Sequence, residues 1–389
     1  MTVDKKILIS GCGNAGLTLA FWLGKRGFEP EIVEKRPDLA DEGYMIDFYG
    51  PGFDVAEKMG IIEHLRQRHY PIPRLDFVDP RGKVEASFEI ERFRRLLGYR
   101  HFNFMRGDLE TALYEHTRRT VPIRFGTVIT GIYPVRKGVE VDFSDGTKGS
   151  YGLLIGADGF HSGVRDLVWG PRGGFERFLG YYAASAMIGN ILGKAEAFVA
   201  RQEPGKQAAV YSIRGGKLAT FFIFKSKQQG RLTRLDQQAV LEEEFGSMGW
   251  EIPGMLEILR SAPRFYYDSV SQIELDTWHK GRIALVGDAC QCLTLLAGQG
   301  VSMAMAGAHI LAKELERSRG DHEAAFSAYE AAMKPEIGKR QVQARKFAGS
   351  FVPESRFGIT VRNLLMNVLF LPGLRSLFLR RIGAESLVH

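Results

Sequence analysis

The hydrophobic pattern opens with a short unbroken apolar run, Ile7-Leu8-Ile9, which reads as a buried strand. It meets Ser10-Gly11-Cys12-Gly13-Asn14-Ala15-Gly16, and from Leu17 to Arg26 apolar residues return at helical spacing until Gly27. Glu31-Ile32-Val33 predicts a second strand, closed by Glu34. Further along, the period shortens to two. Leu75-Asp76-Phe77-Val78, a turn at Asp79-Pro80-Arg81-Gly82 and Val84-Glu85-Ala86-Ser87-Phe88 predict a hairpin. Ala208 to Ile213, a turn at Gly215-Gly216 and Leu218 to Phe224 predict another. Pro353 to His389 returns to helical spacing, with Val361, Leu364, Leu365, Val368 and Leu369 on one face. There Arg375, Arg380 and Arg381 beside Leu377, Phe378 and Leu379 suit an anionic membrane surface, but packing over the substrate domain or an oligomer face is favoured.

Composition narrows the class. The chain has 389 residues, 45% apolar and 25% charged, enough for a large core in one big domain or two coupled ones. That excludes a disordered, collagen-like or low-complexity chain. Lys+Arg minus Asp+Glu is 52 − 45 = +7, which suits an anionic cofactor or substrate and does not imply nucleic acid. Cys12, Cys290 and Cys292 cannot make a disulfide framework, and no zinc-type spacing accompanies them. The N-terminus has no signal-peptide apolar region, and the late run Leu364 to Leu371 is interrupted by Asn367 and stopped by Pro372, too short for a bilayer. A cytoplasmic, soluble protein is expected.

The first specific chemistry is the order strand, Gly11-x-Gly13-x-x-Gly16, helix, strand, acid, with Glu34 lying 34 − 16 = 18 residues past the third glycine. Gly11 makes the tight turn, Gly13 lets a pyrophosphate approach the backbone, and Gly16 lets helix and strand pack closely. The helix N-terminus then offers free N–H groups to phosphates, and Glu34 can accept ribose hydroxyls. A glycine turn in an ordinary βα unit explains a bare motif but not all five parts in register. FAD and NAD remain open at this point.

Two further segments carry the argument. Tyr151-Gly152-Leu153-Leu154-Ile155-Gly156-Ala157-Asp158-Gly159 leads into Phe160-His161-Ser162-Gly163-Val164-Arg165. Arg282-Ile283-Ala284-Leu285-Val286-Gly287-Asp288-Ala289 is followed by Gly298-Gln299-Gly300 and a helix to about Ser318. With the N-terminal fingerprint, these resemble the three marker motifs of the class A FAD-dependent monooxygenases, the para-hydroxybenzoate hydroxylase-like family, across residues 3–315. Tyr44 to Phe48, Met105 to Leu109 and Gly298-Gln299-Gly300-Val301 are similar to the tetracycline-inactivating members.

The resemblance implies an α/β fold: a Rossmann-like FAD-binding domain, an inserted and mainly antiparallel β-sheet substrate domain, and a C-terminal helical region. From the motif positions the FAD-binding domain comprises 1–73, 100–174 and 279–318, the substrate domain 74–99 and 175–278, and the helices 319–389. It also implies FAD contacts at Gly11, Gly13, Asn14, Ala15, Gly16, Glu34, Lys35, Arg36, Asp47, Arg106, Asp158, Asp288, Gly298, Gln299, Gly300 and Val301. Each key residue has its own reason. Asp288 follows a buried strand, where a carboxylate can accept ribityl hydroxyls; its alternative as a helix N-cap is weakened because the next helix is expected near Gly298. The helix start at Gly298-Gln299-Gly300 would face the flavin pyrimidine, where the dipole favours the reduced anion. Arg106 opens an amphipathic helix and can pair with phosphate or ribityl oxygens. Asp158-Gly159, near the cleft, would help hold FAD and a reducing NADPH, the alternative being a turn capped by Ser162.

For the substrate, the sheet predicted in 74–99 and 175–278 is expected to supply an apolar floor from Phe221, Phe222, Phe224, Tyr181 and Tyr182, with Arg214 as a polar anchor and Leu295 as a further candidate. Core packing is the competing role for the aromatics. The chain also departs from the family pattern. Gln291 stands where a histidine is usual, Leu295 where a proline normally stiffens the backbone, Gly307 where an acid is common, and Gly152 where an acid precedes Leu153. Asp38 to Glu42 is acidic where the tetracycline enzymes carry an arginine for NADPH. No catalytic base is assigned; His161, His101 and Gln291 are candidates by position alone.

The implied reaction uses NADPH or NADH to reduce FAD. O2 then adds to the flavin, and the hydroperoxide oxygenates an electron-rich aromatic or polyketide-like small molecule in a dry cavity. The expected protein is a monomer or homodimer. A halogenase is disfavoured because Trp22, Trp169, Trp250 and Trp278 are isolated. A prenyl-type reductase and a redox-neutral cyclase that keeps FAD remain as alternatives, the latter because of the altered 291–295 loop.

Overall fold

The computed structural model describes residues 5–39, 44–193, 198–227, 230, 232–262, 265–368 and 387. The first apolar run becomes the strand Lys6–Ser10, buried along Ile7, Leu8 and Ile9, and the following helix spans Asn14–Lys25. These join a six-stranded sheet in the order His279–Lys280, Ile283–Leu285, Leu153–Gly156, Lys6–Ser10, Glu29–Val33, Ile123–Arg124. All neighbours in it are parallel except the edge pair His279–Lys280 and Ile283–Leu285. Continuous apolar runs are what a parallel sheet covered on both faces requires. From Lys6–Ser10 the chain goes first to Glu29–Val33 on one side, while Leu153–Gly156 pairs on the other. The order therefore reverses beside Ser10 and Gly156, and a crevice opens at the carboxyl ends of these two strands.

The alternating segments build a second, larger sheet. It runs Tyr266–Ile273, Glu176–Ser185, Lys217–Lys225, Lys206–Ile213, Phe198–Glu203, Arg74–Val78, Val84–Glu89, with Met187–Gly189 paired to Lys217–Lys225. Only the pairing of Phe198–Glu203 with Arg74–Val78 is parallel. Both hairpins read from the sequence are present, the second with Ala208 opposite Phe222. One face is covered by the helices Arg234–Phe245 and Ile252–Ser261, which pack Leu241, Phe245, Met255 and Leu259 onto Phe222, Phe224 and Tyr182. The other face meets the crevice: Tyr181, Ala183 and Ile223 cluster with Leu295, Leu296 and Phe221. A two-stranded ribbon, Met45–Tyr49 against His101–Met105, lies between the two parts of the molecule.

Two long helices close the structure, Gly300–Arg317 and His322–Phe351, followed by Arg356–Val368. The basic and apolar positions expected at Leu369 to Arg381, and Asp41 and Glu42 of the acidic stretch, lie outside the described residues. Among the described residues no helix is long and apolar enough to cross a membrane.

Candidate functional site

The glycine turn sits at the strand-order reversal. Gly11 has φ +110°, and a Cβ there would lie 2.5 Å from the Ala157 carbonyl oxygen. A Cβ on Gly16 would lie 1.9 Å from the Gly11 carbonyl oxygen, so neither position accepts a side chain. Gly13 differs: the one atom within 4 Å of its Cβ position is Glu110 Oε1, at 3.7 Å, and space is left over the turn. Ala15 is buried against the core. Asn14 is buried, and its Oδ1 has no hydrogen-bond partner among the described residues, as expected of a group that meets a ligand at a helix start.

Glu34 is buried at the end of its strand. It accepts the Cys12 N–H at 2.8 Å and, from Arg36, the backbone N–H at 3.0 Å and Nε at 3.1 Å. Burial works against its charge, but these hydrogen bonds and the Arg36 charge hold it below the usual carboxylate range. Lys35 points to solvent. Arg36 reaches further to Glu110, at 3.4 Å, and Arg106 pairs with Glu110 at 3.3 Å. Glu110 is fully buried and was not among the sequence-predicted residues. Its signal was the Arg106–Glu110 spacing of one helical turn.

Asp47 stands on the ribbon, in the strand Met45–Tyr49 opposite Asn103. It accepts His101 Nε2 at 3.0 Å and Asn103 Nδ2 at 2.6 Å, while its side chain stays 54% exposed. The crowded cleft opposes its charge, yet the bonds from His101 and Asn103 keep its pKa low. Burial raises the Asp288 carboxyl, and Arg106 pulls it back. Arg106 itself is held more basic than usual: burial would lower it, but Glu110, Tyr44 and Asp288 outweigh that. Tyr44 and Tyr266 face one another with ring centroids 5.4 Å apart, Tyr44 pushed up to about 12 by burial. These groups sense Asp268 and Cys292 as well, so the ribbon, the Arg106 helix, the edge strand Tyr266–Ile273 and the Asp288 turn all converge on one space.

The loop from Asp288 to Gly300 forms the remaining wall. The sequence placed the next helix near Gly298, but a short helix, Asp288–Gln291, begins at Asp288 itself because Gly287 adopts φ +68° there. The main helix starts at Gly300, after Gly298 in the left-handed conformation, with Gln299 as its N-cap. Gln299 Nε2 donates to the Tyr49 hydroxyl at 3.2 Å, and Arg340 donates to Gln299 Oε1. Val301 packs partly buried against the core. The missing proline at Leu295 does not leave this loop unsupported. Gln272 Nε2 donates to Leu293 O at 2.9 Å, and Gln341 Nε2 donates to Cys292 O at 3.0 Å. Buried side-chain amides thus replace ring rigidity. Thr294 still takes φ +107°, which is strained for a side-chain-bearing residue.

Other expected residues lie elsewhere. Phe222 and Phe224 are fully buried on the far face of the larger sheet, in edge contact with Phe245. Strand alternation turns Phe221 and Ile223 toward the crevice instead, so Phe221 and Tyr181 of the expected floor face it while Phe222, Phe224 and Tyr182 do not. Tyr181 faces the crevice side and Tyr182 the helices, for the same reason. Arg214 is no open anchor: it pairs with Asp108 at 3.2 Å, donates to the Gln67 carbonyl and stacks on Tyr70. Asp158 accepts from Ser162 Oγ at 2.5 Å and the Val164 N–H at 3.1 Å, while Ser162 caps Arg165, so the turn reading applies at the cleft edge. His161 is bound between Asp268, at 2.7 Å, and Arg172. Gln291 lies behind the cleft, donating to the Tyr329 hydroxyl at 2.6 Å. Gly307 explains it, because a Cβ there would come within 2.6 Å of Gln291 Nε2.

A cavity of about 870 Å³ lined by Phe21, Lys25, Glu29, His116 and Tyr151 lies at the amino ends of the parallel strands. That is the wrong edge for a nucleotide in such a sheet. The crevice at the carboxyl edge, with its glycine cradle, orphaned Asn14 amide and converging ionised groups, fits FAD. The family described as "FAD binding domain" matches residues 4–335.

The chain belongs to the FAD-dependent class A monooxygenases. It is 33% identical over 366 residues to an uncharacterised protein of Mycobacterium tuberculosis, covering 92% of this chain and 98% of that one. A flavin-dependent monooxygenase of Legionella longbeachae is 33% identical over 361 residues, covering 91% of this chain and 90% of the relative. Among solved structures, the tetracycline destructase Tet(55) superposes with a TM-score of 0.86 at 30% identity, covering 99% of each chain. This class A monooxygenase is therefore an FAD-binding oxidoreductase.

Proposed function

We propose that this enzyme hydroxylates a planar, electron-rich small molecule, aromatic or polyketide-like, with NADPH or NADH as reductant and O2 as the oxygen source. Bound FAD supplies the electron storage and oxygen activation, and the chain supplies the rest. Gly11, Gly13, Asn14, Ala15 and Gly16 cradle the pyrophosphate at a helix N-terminus. Glu34 accepts the adenosine ribose hydroxyls, which its low pKa favours, and Lys35 and Arg36 flank it. Asp47, Arg106 and Asp288 would hold the ribityl chain, and Asp158 fixes the turn that Ser162 caps. The backbone N–H groups of Gln299, Gly300 and Val301, at the start of the helix Gly300–Arg317, would serve the flavin pyrimidine and favour negative charge there.

The segments 74–99 and 175–278 supply the wall opposite the cofactor, with Tyr44, Tyr266, Phe221 and Leu295 shaping the substrate space and excluding water. Free, buried cysteines support a reducing, cytoplasmic setting. The observation that carries the reading is the convergence of Arg106, Asp288 and the Tyr44–Tyr266 pair beside the glycine turn at the strand-order reversal. The name of Tet(55) points to tetracycline as that protein's substrate, a polyketide of the class proposed here. The test is anaerobic mixing with NADPH or NADH across a panel of phenolic and polyketide compounds. One class of compound should accelerate bleaching of the flavin and emerge heavier by one oxygen once air is admitted. Bleaching that no compound affects would count against the substrate reading.

A further inference from the structure

We propose that Glu110 is a positioning residue that holds Arg36 and Arg106 as one unit under the cofactor, so that a single buried carboxylate sets the phosphate end and the flavin end of the site together. The inference rests on the FAD reading above and adds a residue that neither the motifs nor the family match singles out.

Glu110 is 2% exposed and sits one turn after Arg106 on the helix Arg106–Thr117. Its Oε1 lies 3.3 Å from Arg106 Nε, and its Oε2 accepts both terminal nitrogens of Arg36 at 3.4 Å. Arg36 continues to Glu34, and Glu34 to the Cys12 N–H inside the glycine turn. Four alternating charges thus run from the ribose-binding acid to the cleft. Glu110 Oε1 is also the nearest atom to the open position above Gly13. A buried carboxylate aimed at a diphosphate cradle repels the ligand by itself. It is compatible with the cradle because both arginines neutralise it: Arg36 lies between Glu110 and Glu34, Arg106 meets Glu110 through Nε, and their side chains remain 30% and 38% exposed. Arginine's fixed fork makes that arrangement geometrically possible. Without the carboxylate the two arginines lose their common anchor and repel each other.

The test compares holoenzymes of wild type, Glu110→Gln, Arg36→Gln and the double variant by the rate of FAD release and the midpoint potential of the bound flavin. Glu110→Gln is expected to release FAD about tenfold faster or more, since one partner of a buried charge pair is lost. Its potential should move positive, because the Arg106 charge is no longer neutralised beside the reduced flavin. Arg36→Gln should also release FAD faster, but its potential should move negative, because Glu110 then acts on Arg106 alone. The double variant should lose less than the sum of the singles. Opposite potential shifts are not produced by a helix-stabilising role. Unchanged release and potential in Glu110→Gln, or additive losses, would overturn the proposal. If Glu110→Gln does not fold, Arg36→Gln decides alone, and an unmoved potential there overturns it. A wild-type protein that takes up no FAD would instead sink the cofactor reading itself.

Discussion

The narrowest tolerances in this enzyme belong to single atoms in the glycine turn. At Gly16 a methyl group would sit 1.9 Å from the Gly11 carbonyl oxygen, and the backbone of strand and helix would have to separate to admit it. Gly16→Ala is therefore expected to lower stability by about 3 kcal/mol or more and to abolish FAD retention. Thermal unfolding and the flavin content of the purified protein measure both. The thiols make the opposite case. Cys12 is buried beside Glu34, and burial first, then that charge, pushes it up to about 12. Cys290 and Cys292 are also buried and held well above the ordinary thiol value. No fast-reacting thiol is expected with a disulfide reagent near pH 8, and three should appear in denaturant. A native thiol that reacts at once would contradict this burial. At this scale the fingerprint residues were legible because glycine and acid spacing follow from backbone geometry. Glu110 was not, since its meaning depends on Arg36, which is brought to it only by the fold.

Among the elements, the 292–295 loop depends on groups far away in sequence. Gln341 on the helix His322–Phe351 donates to the carbonyls of Ile273 and Cys292, and its loss leaves both without that donor. Gln341→Ala is expected to cost about 1–3 kcal/mol of stability and to speed hydrogen exchange in 292–297. Exchange no faster than in wild type would show that the proline-less loop is held some other way. Phe222 and Phe224 show why strands were easier to locate than to orient. The hairpin came from its turn and its alternation, but alternation alone does not say which face meets the cofactor and which meets the helices Arg234–Phe245 and Ile252–Ser261. Arg214 was similarly opaque, because Asp108, Gln67 and Tyr70 surround it only after folding.

For the whole molecule, acid sensitivity follows from one buried and one half-buried histidine. His69 and His309 are each lowered to about 4 from an ordinary value of 6.5, chiefly by burial. The unfolded chain takes up these protons first, so stability is fully present above about 6.5 and falls as pH drops toward 4. The loss is at most about 1.4 kcal/mol per pH unit for each histidine. His309→Leu should therefore lose less stability than wild type between pH 7 and 5, as read by urea unfolding at both. Equal losses would contradict the assignment. The division into a parallel nucleotide-binding sheet and a mainly antiparallel second sheet was legible from motif order, because the period of the apolar pattern switches where the chain leaves one sheet for the other. The fit between the sheets, where Tyr44 meets Tyr266 and the Asp288 loop meets the Tyr266–Ile273 strand, is a product of tertiary packing. The measurement that bears most directly on the whole account is the visible spectrum of the purified protein after equilibration with FAD and removal of the excess. One tightly held flavin per chain, lost in Gly16→Ala, is the predicted result. A colourless protein that retains no FAD would contradict it.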